Sequence, residues 1–136
     1  MRLASLKTLV EKLRDVQEES TCRVQMAAMV VRGGKPIAIG NNKKGYRGSS
    51  LHAEVDALRQ LRYQKRRGRG CTVIVARFRA DGSYGLAKPC ANCIEFMKSE
   101  GVSDVAWTTA RGTIEIQNLR EIENEYIPAT TLREDN

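Results

Sequence analysis

The chain has 136 residues, 41% of them hydrophobic and 29% charged, with a formal net charge of +7. That is the size of one ordinary domain with enough apolar residues for a core, which excludes a multidomain machine and a disordered chain. No apolar run approaches the roughly 20 residues a spanning helix needs, so no membrane partner is expected.

Acidic residues at 11, 15, 18 and 19 are what a secretory or transit peptide avoids, and a cytoplasmic protein is expected. Residues 3–18 place Leu3, Leu6, Leu9, Val10, Leu13 and Val16 at helical spacing and predict one amphipathic helix. Residues 23–31 turn apolar and β-branched; Gly33-Gly34 offers a hairpin turn, and residues 36–40 supply the returning strand. A Gly- and Lys-containing loop, 41–50, follows. Ser49 or Ser50 is placed to cap a helix over about 51–64, with Val55, Leu58 and Leu61 facing inward. The basic stretch 65–70 ends it, and residues 71–78 are apolar almost throughout, as befits a central strand.

After the loop 79–88, Pro89 suits the first turn of a helix that runs through Lys98 and closes at Gly101. Residues 102–109 and 113–119 read as two more strands. Only Ala110-Arg111-Gly112 lie between them, too few for a crossover helix, so the pair is expected to be an antiparallel hairpin. A short acidic helix, 120–126, precedes a polar tail, 127–136. The order α-β-β-α-β-α-β-β-α describes a single α/β domain over residues 1–136, with its core at about 5–126.

The chemistry concentrates in His52-Ala53-Glu54 and the distal Pro89-Cys90-Ala91-Asn92-Cys93. Zinc favours thiolate and imidazole, and a catalytic site supplies three such ligands and leaves one position open. His52, the single histidine, with Cys90 and Cys93 makes three. The cysteines fall one helical turn apart, and both motifs open helices, where free N–H groups favour thiolates. A structural site wants a fourth ligand; Cys22 and Cys71 adjoin strands and read as inert thiols. Glu54, about 200° around the helix from His52, is badly placed to ligate the same ion. It is well placed to take a proton from a metal-activated water and pass it on.

These residues resemble the cytidine deaminase-like superfamily, with its His/Cys-x-Glu and distal Pro-Cys-x-x-Cys. The resemblance covers about residues 5–119 and implies a three-layer α-β-α fold with a five-stranded mixed sheet. It implies that His52, Cys90 and Cys93 bind Zn²⁺, that Glu54 is the catalytic proton shuttle, and that water replaces the exocyclic amine at C4 of cytosine or C6 of adenine. Ala53 corresponds to the position whose backbone contacts the base. The antiparallel hairpin favours the cytidine deaminase branch, whereas histidine at position 52 is the habit of deoxycytidylate, tRNA adenosine and free-base deaminases. Homo-oligomers, dimers or tetramers, are common in this fold.

Asn42 resembles the family's substrate-binding asparagine, and equally suits a plain turn. Lys44 stands where cytidine deaminases carry a glutamate for the ribose, and a cation there suits a phosphate. Lys43, Arg47 and Lys88 add charge around the same site, and Tyr46 and Tyr84 are candidates to roof it; Trp107 is expected in the core. Between residues 43 and 70, nine basic residues face two acidic ones, which accounts for the whole charge excess. Its second half, 62–69, lies about 14 residues, roughly 20 Å, beyond the metal. That leaves subunit contacts, nucleic-acid backbone tracking or solubility for it. The expected activity is zinc-dependent hydrolytic deamination of cytosine in a nucleoside or nucleotide. A deaminase of cytosine or adenine in single-stranded DNA or RNA is the first alternative, and an inactive zinc-stabilised binding domain the second.

Overall fold

A computed structural model describes residues 3–45, 50–123 and 130–132. Two short helices, α1 (Leu3–Glu11) and α2 (Leu13–Glu18), replace the single helix expected over 3–18. The break is local: the Lys12 N–H turns back to Leu9 O at 3.2 Å, an i→i−3 bond that tightens one turn. The apolar stripe crosses it undisturbed, with Leu3, Leu6, Leu9, Val10 and Leu13 all buried.

The strands β1 (Ala27–Arg32) and β2 (Lys35–Asn41) form the hairpin expected around Gly33-Gly34, whose φ angles of 58° and 78° only glycine adopts freely. A two-residue ladder, β3 (Lys43–Lys44) with β4 (Ser50–Leu51), spans the loop that follows. Helix α3 (Ala53–Tyr63) comes next, then β5 (Thr72–Ala76), α4 (Ala91–Ser99), β6 (Asp104–Thr108) and β7 (Ile114–Asn118). Helix α3 is not capped by a serine. Its N-cap is His52, and Ser50 pairs with Lys44 in the small ladder. Pro89 likewise stands one residue ahead of the α4 N-cap, Cys90, rather than in the first turn.

The sheet order is β2-β1-β5-β6-β7-β8, in which only β5 and β6 are parallel and α4 makes the crossover between them. The five-stranded mixed sheet and its antiparallel C-terminal hairpin are therefore present. A sixth strand, β8 (Thr130–Leu132), lies within the stretch expected to be a polar tail: its backbone pairs with β7. The acidic helix expected over 120–126 is a 3-10 helix, Leu119–Glu123; residues 124–126 lie outside the described residues.

Alternation along the strands divides the core into two layers. Ala28, Val30, Val73, Val75, Val105 and Trp107 face α3 and α4. Ala27, Met29, Val31, Ile74, Ala76 and Ala106 face α1 and α2. Helices on both faces make three layers, α-β-α. Gly40 lets α3 lie directly on β2: a Cβ there would stand 2.4 Å from Ala57 N. At this end of the sheet Ala27 opposes both Asn41 and Ala76, so the exits of β2 and β5 converge where α3 begins.

Candidate active site

Helices α3 and α4 bring their N-termini side by side, and the residues that begin them carry the donors. His52 (φ −72°, ψ 151°) and Cys90 (φ −74°, ψ 167°) are the N-cap residues; neither side chain caps its own helix. Their backbone carbonyls accept the Asp56 and Ile94 N–H groups at 2.9 and 3.0 Å, which starts each helix and frees the side chains. His52 Nδ1 lies 3.0 Å from Cys93 Sγ and 3.7 Å from Cys90 Sγ, and the sulfurs are 3.4 Å apart. The three ligand atoms all fall within 4.8 Å of one another.

This donor set fits zinc. Bond lengths of about 2.3 Å to sulfur and 2.0 Å to nitrogen in a tetrahedron separate donors by roughly 3.6–3.8 Å, and the observed edges lie within about 0.6 Å of that. Nδ1 is the nitrogen that faces the sulfurs, so a ligating ring carries its proton on Nε2. Cys93 is buried and Cys90 exposed. Burial, with the Glu54 charge beside it, pushes the Cys93 thiol far up in the protein alone; a coordinated divalent cation reverses this, because a ligating thiol is deprotonated.

Glu54, one position inside α3, is 3% exposed, and its Oε1 lies 3.8 Å from His52 Nδ1. Burial raises its pKa, while its own backbone N–H, Cys93 and His52 pull the other way. A carboxyl held above the ordinary range and next to an open metal position is the arrangement a proton carrier needs.

A cleft of about 160 Å³ opens over these groups, lined by Met26, Asn42, His52, Ala53, Glu54, Lys88, Pro89 and Cys90. Asn42 and Ala53 are therefore beside the zinc ligands. Most of the Asn42 amide is engaged: Oδ1 accepts from Ser20 Oγ (2.6 Å) and Met26 N–H (2.8 Å), and Nδ2 donates to Val24 O (2.7 Å). One Nδ2 hydrogen remains for a ligand. Lys88 stands in the cleft wall, its Nζ 5.9 Å from the Trp107 ring centroid, and Trp107 is buried in the core as expected.

Other expected contacts fall elsewhere. Lys43 is outside the cleft, and its ammonium pairs with Asp56 at 2.6 Å. Lys44 is exposed and also outside the cleft lining. Tyr84 does not roof the pocket: the turn around Gly82 folds residues 79–85 back, and Tyr84 packs edge-on against Phe78 on the α1 and α2 side of the sheet. Tyr46 and Arg47 lie outside the described residues. Cys71 is buried, with its Sγ 3.8 Å from Arg69 O, and Cys22 is half-buried; neither joins the ligand cluster.

Met26 and Asp56 carry functions the sequence does not announce. Met26 enters the cleft because its N–H is held by Asn42 just before β1. Asp56 accepts the Asn41 N–H at 3.1 Å and so ties α3 to the end of β2. An acid two residues after Glu54 on an otherwise apolar helix face was the available signal for Asp56; nothing local marked Met26.

The family described as the cytidine and deoxycytidylate deaminase zinc-binding region matches residues 4–109. Among solved structures, the cytidine deaminase from Burkholderia pseudomallei has a TM-score of 0.70 at 20% identity, covering 85% of this chain and 94% of that one. The dCMP deaminase from cyanophage S-TIM5 has a TM-score of 0.64 at 19% identity, covering 80% and 86%. The cytidine deaminase from Mycobacterium tuberculosis has 0.62 at 15%, covering 90% and 97%. No protein of curated function matches the sequence. At these identities the structures establish the shared fold. The family match spans both halves of the metal site, and the chain belongs to the cytidine and deoxycytidylate deaminase zinc-binding family.

Proposed function

We propose that this protein hydrolyses the exocyclic amine of cytosine in a cytidine or deoxycytidine nucleoside or nucleotide, giving uracil and ammonia. The observation that carries the proposal is the clustering of three zinc donors, His52, Cys90 and Cys93, beside the buried Glu54, which lines one cleft together with His52 and Cys90. Zinc, when bound there, supplies the Lewis acidity that brings a water in its open position towards ionisation near neutral pH.

The remaining steps fall to the chain's own groups. Glu54 takes a proton from the water as its oxygen bonds to C4 and gives it to N3 of the pyrimidine. It then takes the proton of the new C4 hydroxyl and gives it to the amine, which leaves as ammonia while the C4–N bond breaks and the C4 carbonyl forms. Ala53 and the free Nδ2 hydrogen of Asn42 are in position to hold the base edge. The cleft of about 160 Å³ is small beside the roughly 300 Å³ or more of typical ligand sites. It suits the base ring, and leaves sugar and phosphate at the rim. Lys88 lines that rim, with Lys44, Arg47 and Tyr46 as further candidates in the 43–47 segment. A homo-oligomer is the setting that the family resemblance implies, and the acidic residues among the first twenty favour the cytoplasm.

The test is ammonia release from cytosine, cytidine, deoxycytidine, their mono- and triphosphates, adenine analogues and single-stranded oligonucleotides, with Glu54→Ala as control. Turnover of a monomeric cytosine substrate, reduced by at least about a thousandfold in Glu54→Ala, is expected. Activity confined to oligonucleotides or to adenine overturns the substrate assignment, and ammonia release that survives in Glu54→Ala overturns the role of Glu54.

A further inference from the structure

The end of the molecule away from the cleft carries the charge that the site does not use. Arg59, Arg62, Lys65, Arg66, Arg67 and Arg69 follow one another with no acidic residue between Asp56 and Asp81, and all six are exposed. Two clefts adjoin there. One, of about 420 Å³, is lined by Arg62, Lys65, Arg66, Arg67 and Glu100. The other, of about 450 Å³, includes Arg69, Lys98 and Arg120 in its lining. Their linings are neighbours along the chain, Arg67 and Glu100 in the first and Arg69 and Gly101 in the second, and Gly101 packs on Arg69, where a Cβ would stand 3.2 Å from Arg69 Cα. Glu100 pairs with Arg62 and Glu95 with Lys98; among the described residues no carboxylate pairs with Lys65, Arg66, Arg67, Arg69 or Arg120.

The loop that presents these cations is built. Arg32 Nη2 donates to Arg67 O at 2.7 Å, the Gly70 N–H to Gly101 O at 3.0 Å and the Cys71 N–H to Gly68 O at 3.0 Å, over a buried Gly68. Helix α3 ends in a Schellman turn, with the Lys65 N–H on Arg62 O and the Arg66 N–H on Leu61 O. Lys65 occupies its left-handed position (φ 57°), where glycine is the unstrained choice. The backbone is held and the side chains project outward.

The dispersion of these groups decides the ligand. A site for one phosphate converges buried donors on a point; here exposed cations spread across two adjoining clefts, which matches charges spaced along a chain. Tyr63, 80% exposed, sits between Arg62 and the loop and offers a ring on which an unpaired base can stack. We propose that this basic end binds single-stranded nucleic acid, its phosphates on the 62–69 cations and a base on Tyr63. Helix α3 is eleven residues long, about 16 Å at 1.5 Å per residue. The bound strand is therefore held away from the cleft and localises the protein rather than presenting the reacting base. This role is independent of the deaminase reading.

Fluorescence anisotropy of the full chain with a labelled single-stranded DNA homopolymer tests it. Neutralising Arg66, Arg67 and Arg69 together to Gln is expected to weaken binding at low salt at least about tenfold and to reduce the log-log salt slope by about 2. Tyr63→Ser is expected to weaken single-strand binding about tenfold and leave duplex binding unchanged. A control with the same charge loss elsewhere, Lys12→Gln with Arg23→Gln and Arg111→Gln, is expected to bind like wild type, and melting curves verify that all variants fold. Absence of wild-type binding at low salt, equal loss in the control, or duplex binding as tight as single-strand binding each overturns the proposal.

Discussion

Lys43 Nζ reaches Asp56 Oδ2 at 2.6 Å, and Asp56, whose side chain is 7% exposed, also receives the Asn41 N–H. A buried carboxylate left without its partner is costly, so the fold claims this cation before any substrate does. Lys43→Met is therefore expected to lower stability by about 2 kcal/mol, measured by urea unfolding, while KM for a nucleotide substrate stays within twofold. A raised KM with unchanged stability would return Lys43 to the binding site. Lys44, its neighbour, makes no such ion pair among the described residues, so the two lysines have different roles. Position in the sequence marked both alike; only the α3 surface beneath them told them apart.

At the scale of elements, the α1–α2 junction is fastened by Arg14. Its guanidinium pairs with Glu11 at 2.6 Å, donates to Gly82 O at 2.7 Å and lies 4.2 Å from the Phe78 ring centroid, so it clamps the first helices to the 79–85 turn. Arg14→Ala is expected to cost about 1–2 kcal/mol, largely from lost packing. Glu11→Gln is expected to cost at most about 0.5 kcal/mol, because the pair is partly exposed and screened. The Arg14 hydrogen bond holds the Glu11 carboxyl below its ordinary value of 4.5. The Glu11 contribution is then present above that value and is lost as pH falls through the lowered one. Melting curves from pH 7 downward should show the Glu11→Gln difference shrinking as the pH falls below 4.5; a difference that grows on acidification contradicts the pairing.

Over the whole molecule, the metal site joins the N-termini of two helices that share a layer. Zinc held there would tie α3 to α4, and a ligand bound only by the folded state stabilises it by mass action. Chelation is expected to lower the melting temperature by roughly 10 °C, which corresponds to about 4 kcal/mol at a thousandfold excess over Kd. Cys90→Ala should abolish the zinc-dependent shift, whereas Glu54→Ala should retain it while losing turnover. Equal shifts in the two variants would contradict the division between ligands and proton carrier. The basic end, at the far termini of the same two helices, places a second surface where it can act without disturbing the first.

The sequence by itself determined most of the elements and the metal donors. Period-2 strands, period-3.6 helices, the hairpin glycines and the close of α4 at Gly101 are local signals, and local backbone physics is enough to read them. The metal triad was legible for a different reason: zinc restricts its donors so narrowly that His52, Cys90 and Cys93 were nearly the whole inventory. The placement of Tyr84, the engagement of Lys43 and the entry of Met26 into the cleft were decided by tertiary structure alone. Each depends on which surface a side chain meets across the sheet or beneath a helix, and contacts between residues far apart in the chain leave no periodicity to find. The charge excess was divided by sequence position already, since the cations at 62–69 stand a helix length beyond the metal ligands; tertiary structure added only that Lys43 is taken by Asp56, because that pairing depends on the face of α3 beneath it.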